Sequence, residues 1–388
     1  MFFGPEGDSI SQIVWFLMFI VFIFVGPRLM VTQTIFKLEK EITEIEQLAV
    51  SARNYVSRKA NKKAGNSEKI KNFMEFFAVT PVSSDPYGII KKIEHVIRQS
   101  DERFKWFVND IAPGSSEIEK ANLKAALSGA ITANQIAKVL RHLLETVKKH
   151  KMFQMAIILQ MQIPLIKELA EAAEKATEAF VRGEPIGDSI GPLIAASKMK
   201  KGKVKVYTDH EFALGESTIA GRKVLIAKAS GPGATVGIPG RFLENLSKRN
   251  KISRIITVDA GLRLEGEKTG SVAEGIGVAM GGDVDRYQIE EFAVRKKIPL
   301  DAIVIKQTQK EALTPLNKDI LNSIPKAESL LRTAVRRAKK SDKILVIGVG
   351  NTSGVGNTDK EAEKAVKVIK KKIKKMEAAE KAKKKKWF

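Results

Sequence analysis

Residues 185–358 alternate short apolar runs with helical stretches, and this alternation constrains the fold more than any other feature of the chain. Strands are expected over 204–207, 222–229, 255–259, 302–306 and 344–349. Helices are expected over 241–251, 285–297 and 327–339. Strands separated by helical stretches build a largely parallel sheet covered on both faces. The expected fold class is an α/β domain with a mostly parallel sheet, preceded by a transmembrane helix, a stalk helix and an all-α middle domain. Four glycine-rich turns punctuate the α/β part, at 187–192, 231–237, 281–285 and 348–357.

Upstream, residues 10–25 carry Ser11 and Gln12 at their start and are otherwise Ile, Val, Trp, Phe, Leu and Met. With Gly26, Pro27 and the segment to Val31 the stretch reaches about 20 residues, the length that crosses a bilayer. A transmembrane anchor is expected over 1–30. A cleaved signal peptide needs a basic start and a small-residue cleavage site, and neither is present. Glu6 and Asp8 precede the stretch, and Arg28, Lys37 and Lys40 follow it. The positive-inside rule then puts the short N-terminus outside the cell membrane and the bulk of the single-pass chain in the cytoplasm.

From Val31 the positions Ile35, Leu38, Ile42, Ile45, Ala49, Ala52 and Val56 alternate spacings of four and three, a heptad seam. Two readings are open for 31–66: a stalk that self-associates into a homo-oligomer, or one amphipathic helix packed on the next domain. Residues 67–184 read as a helical domain. Asp85-Pro86 forms a helix start with proline at the first position, and Pro164 kinks a long helix over 152–180. The α/β domain occupies 185–358. A basic helical tail follows over 359–388, ending in a lysine run before Trp387 and Phe388. Lysines beside aromatic anchors suit an anionic lipid surface or RNA.

Formal net charge is +23, which favours anionic partners. The absence of cysteine removes disulfides, thiolate metal sites and cysteine nucleophiles. The four histidines are scattered, so a metal here is expected to be hard, Mg2+ or Mn2+ on carboxylates.

In open α/β sheets ligands bind beyond the carboxyl ends of the strands. The turns carrying Gly231, Gly233 and Thr235, and Gly348, Gly350, Asn351 and Ser353, follow expected strands and are candidates to bind an anion, phosphate or carboxylate, on backbone N–H groups. Neither matches a P-loop. The alternative is tight turns required for packing. Asp259, Glu265 and Glu267 are candidate catalytic carboxylates. Asp259, Glu267 and Asp283 are candidate metal ligands. Glu274, Asp285 and, between glycines upstream, Asp188 complete this acidic set. No Gly-x-Ser-x-Gly elbow occurs, and His210 is the one histidine of the domain, so a serine-nucleophile reading fails.

The layout, with Pro185-Ile186-Gly187-Asp188-Ser189-Ile190-Gly191-Pro192-Leu193 and Leu264-Glu265-Gly266-Glu267-Lys268-Thr269-Gly270, resembles an archaeal membrane-anchored family of unknown function. That resemblance covers nearly the whole chain and implies no activity. Separately, Ile344-Leu345-Val346-Ile347-Gly348-Val349-Gly350-Asn351 is similar to the strand-and-loop motif of hydrogenase-maturation proteases and peptidyl-tRNA hydrolases. In those proteins it lies near the N-terminus, and the acidic pair that follows in the proteases is absent here. The expected function is an anion-binding α/β domain acting as a hydrolase at the membrane. The alternative is a non-enzymatic module that recruits nucleic acid, ribosome or acidic proteins there.

Overall fold

The computed structural model describes residues 9–60, 65–79, 81 and 88–385, with backbone alone at 9, 10, 21, 24–29, 283 and 379–385. The expected helix start at Asp85-Pro86 and the tail residues Trp387 and Phe388 lie outside these. The N-terminal region is all-helical: α1 (Ser9–Lys59), α2 (Asn66–Phe73), α3 (Ile89–Ile111), α4 (Glu117–His150) and α5 (Phe153–Arg182). α5 runs through Pro164. The chain divides into two compact units, one of residues 1–50 with 132–171, the other of residues 51–131 with 172–388.

The first unit is held by an apolar seam with charge along its flanks. Leu38, Ile42, Ile45 and Ala49 of α1 are buried within the chain. Arg141 of α4 bonds Glu46 and Glu39, and Lys167 of α5 bonds Glu41 and Glu44. Intramolecular helix packing therefore occupies this part of the seam.

The expectation of a transmembrane anchor is corrected. Among the described residues, no helix is long and apolar enough to cross a membrane. The apolar run between Gln12 and Pro27 falls short of the roughly 20 residues a span requires. Arg28 interrupts the run just after Pro27, and α1 continues beyond it into its charged seam. The single-pass topology and the assignment of sides rested on that span and fall with it.

In the second unit a 3-10 turn (Gly187–Ser189) leads into α6 (Ile190–Ala196). Then come β1 (Val204–Tyr207), β2 (Phe212–Ile219), β3 (Arg222–Ala229), α7 (Pro239–Ser247), β4 (Arg254–Leu262), β5 (Val272–Ile276) and α8 (Asp283–Lys296). β6 (Leu300–Gln307), α9 (Gln309–Leu313), α10 (Lys318–Asn322), α11 (Ile324–Arg337), β7 (Ile344–Gly348) and α12 (Asp359–Lys385) complete the order.

The sheet order is β1-β2-β3-β7-β4-β6-β5. β3, β7, β4 and β6 are parallel, whereas β1, β2 and β5 pair antiparallel at the two ends. The expected mostly parallel sheet is thus a mixed sheet with a parallel centre. The central strands are apolar on both sides: all five residues of β7 are buried, as a strand covered on both faces requires. One face packs on Leu193 and Ile194 of α6, Leu331 and Val335 of α11, and Ala365 and Ile369 of α12. The other packs on Phe242 and Leu246 of α7 and Ile289 and Phe292 of α8.

Candidate functional site

The strand order fixes where a ligand can enter. The connections from β3 through α7 to β4, and from β4 through α8 to β6, run over one face. The return from β6 through α11 to β7, and the exit into α12, run over the other. β7 sits between β3 and β4, so its outgoing loop parts from theirs and opens a crevice at the carboxyl edge. In open α/β sheets this reversal point is the ligand position.

The two glycine-rich loops meet there and bond to each other. Thr352 Oγ1 donates to Gly233 O at 2.7 Å, the Thr352 N–H donates to Thr235 O, and the Gly354 N–H donates to Pro232 O. Asn357 Oδ1 accepts from the Gly231 N–H and from Lys228 Nζ, both at 2.9 Å, while its Nδ2 donates to Gly231 O. The N–H of Ala234 donates to Asn122 Oδ1 of α4, that of Asn351 to Asp188, and that of Ser353 to Asn351 Oδ1. A Cβ on Gly231 would stand 1.9 Å from Val355 O. Close backbone approach accounts for glycine at 231, and several N–H groups proposed for an anion already have protein acceptors. Ser353 Oγ is buried without a partner.

Two carboxylates converge on this edge. Asp259, near the end of β4, is 3 % exposed, and its nearest donor is the Ala260 N–H at 2.7 Å. Burial pushes its carboxyl well above the usual carboxylate range, and the neighbouring charge of Asp188 adds to the shift. Asp188, in the 3-10 turn before α6, is also raised by burial, but the Asn351 N–H at 2.7 Å favours its ionised form. Burial thus raises both carboxyls, Asp259 more strongly, and the Asn351 N–H opposes the rise at Asp188 alone.

The remaining carboxylates go elsewhere. Glu265 is an exposed side chain 3.8 Å from Arg263. Glu267 closes its own turn by accepting the Leu264 N–H and pairs with Lys306, which holds its carboxyl low. Glu274 on β5 pairs with Arg337. Asp283 is the first residue of α8, and its side chain is outside the described residues. Among the described residues no three His, Asp or Glu side chains gather as a metal set. Asp259 accepts the Ala260 N–H, whereas Glu267 is engaged by the Leu264 N–H and Lys306.

A cavity of about 500 Å3 opens beside the edge, lined by residues 234–238, Asn351, and Val284, Asp285 and Gln288 of α8. α3 and α4 form its far wall with Phe104, Lys105 and Lys124. Lys105 bridges Asp101 and Glu211, and Lys124 pairs with Asp101 at 2.6 Å. Glu211 in turn accepts from Thr235 Oγ1, which ties the wall to the loop. A second space of about 460 Å3 adjoins it and shares Lys105, Lys124, Glu211, Ala234 and Thr235.

Asp188 belonged to the acidic set of the sequence, whereas Lys228 and the helical wall were not among its candidates. Asp188 was visible between two glycines but is separated from Asp259 by seventy-one positions. Lys228 reads as one residue of an apolar strand, yet it is fully buried, and burial lowers its ammonium to about 7. The helical wall carries no local motif.

No curated protein matches this chain. Residues 12–183 match the family model described as the N-terminal domain of a protein of unknown function (DUF1512), and residues 186–356 match the C-terminal domain of the same family (DUF1512). The chain belongs to the DUF1512 family, whose function is unknown.

Proposed function

We propose that the α/β domain is a hydrolase that acts on a small anionic molecule in the crevice beside β7. The observation that carries this reading is the meeting of Asp188 and Asp259 at the carboxyl edge in unlike surroundings, Asp188 accepting the Asn351 N–H and Asp259 more deeply shifted by burial. Asp188 is the general base and takes a proton from an attacking water. Asp259 is the general acid and gives its proton to the leaving group. To meet the anionic part of the substrate, Lys105 and Lys124 on the cavity wall exchange their present partners Asp101 and Glu211 for it.

The test uses a panel of phosphate and carboxylate esters, with binding read by thermal shift and turnover by product release. Asp259→Asn should bind a substrate that it no longer turns over, and Asp188→Asn should abolish turnover. Full turnover by both variants would sink the proposal.

A further inference from the structure

The opposite edge of the sheet, where the parallel strands begin, is basic. α7 is followed by the exposed Lys248, Arg249 and Lys251. α8 ends in Arg295 and Lys296, with Lys297 next, all exposed. α11 ends in Arg336 and Arg337 and is followed by Lys339 and Lys340, also exposed. Lys223 near the start of β3 and Lys343 just before β7 add to the same edge.

Direct contacts join these turns into one surface. Lys343 Nζ donates to Asn250 Oδ1 at 2.7 Å, and the Ser253 N–H donates to Lys343 O at 2.9 Å. Arg222 Nη2 donates to Arg336 O at 2.6 Å. Four carboxylates near the edge are already engaged: Asp301 with Arg254, Glu274 with Arg337, Glu244 with Arg295, and Asp342 with the Lys339 N–H. Lys251, Lys296, Lys339 and Lys340 have no carboxylate partner among the described residues. Attraction to a helix C-terminus explains bases in a last turn. It does not explain Lys223, Lys251, Lys339, Lys340 and Lys343, which lie beyond the helices.

We infer that this edge binds the phosphate backbone of a nucleic-acid duplex. The bases are set along the starts of neighbouring strands, and a duplex presents phosphates continuously along its axis. The turns that carry them, 220–224, 248–254, 295–300 and 336–344, contain no aromatic residue on which an unpaired base could stack, which favours a duplex over a single strand. The surface is separate from the crevice and does not depend on the hydrolase reading.

The experiment uses the full chain and short fluorescent duplexes of RNA and of DNA, with anisotropy measured across a salt series. Lys251→Gln, Lys339→Gln and Lys340→Gln together should weaken duplex binding about tenfold or more and flatten the salt slope by about 2 to 3. Lys360→Gln, Lys364→Gln and Lys371→Gln on α12 remove the same charge elsewhere and should weaken binding by less than about threefold. The relative affinity of the two duplexes identifies which is preferred. Equal losses in the two triple variants, no duplex binding by the parent chain, or stronger binding to single-stranded RNA or polyglutamate would overturn the inference.

Discussion

Asn351 donates its backbone N–H to the Asp188 carboxylate at 2.7 Å, a bond between groups 163 residues apart. It joins the loop after β7 to the turn before α6 and holds Asp188 where its charge reaches Asp259. The neighbouring Gly350 makes this approach possible. Its φ is +124°, and a Cβ there would stand 2.0 Å from Asp188 O.

Gly350→Ala should therefore destabilise the domain by about 2–4 kcal/mol, from backbone strain and a backbone clash together. Denaturant unfolding measures this. A loss below about 0.5 kcal/mol, the size usual for an indifferent surface change, would show that the two segments are not locked.

Asp259→Asn tests the raised carboxyl through stability. A carboxyl raised in the folded state keeps its proton after the unfolded chain has lost it. Folded Asp259 therefore adds stability at low pH, and that contribution is lost as pH rises from the ordinary carboxylate range through its raised value. Relative to the parent, Asp259→Asn should gain stability over that interval. Parallel melting-temperature profiles against pH for the two proteins would count against the shift.

Lys228 gives the opposite slope. Its folded ammonium titrates at about 7 because burial disfavours the charge, whereas an unfolded lysine titrates near 10.4. Between these values the unfolded chain holds the extra proton, so stability rises with pH across the interval; below about 7 the whole penalty is present. Lys228→Met should remove that rise. Its retention in the variant would assign the rise to another group.

Asn357 holds the β3 loop by side-chain bonds to Lys228, Gly231 and Ser230. Asn357→Ala leaves the Gly231 N–H without its acceptor, and about 2–3 kcal/mol should be lost. Hydrogen exchange at Gly231 should accelerate in step. Unchanged protection there would show that the loop is held by other contacts.

Ile42 and Ile45 are fully buried in the α1 seam. Ile42→Asp should cost about 3 kcal/mol or more by burying a carboxylate without a partner. The loss should not depend on protein concentration, because the seam packs within one chain. A melting temperature that climbs with concentration in the parent protein would instead point to association through the seam.

Local pattern was enough to determine the alternation of β3, α7, β4, α8, β6, α11 and β7, because each central strand is a short apolar run and each helix has its own periodicity and ends. It also marked the glycine turns and the α1 seam. It did not reveal β2 (Phe212–Ile219) and β5 (Val272–Ile276), whose glycines and polar residues weaken a strand signal and whose pairing comes from a neighbouring strand. Hydropathy alone extended the N-terminal apolar run past Pro27, whereas the helix carries that run directly into a charged seam. Tertiary structure alone decided that β7 inserts between β3 and β4, since backbone pairing across such separations leaves no local trace. That insertion opens the crevice, brings Asp188 to Asp259 and leaves Glu265 and Glu267 on outer turns. A carboxyl's protonation is set by what surrounds it, and here the surroundings come from segments that only the fold brings together.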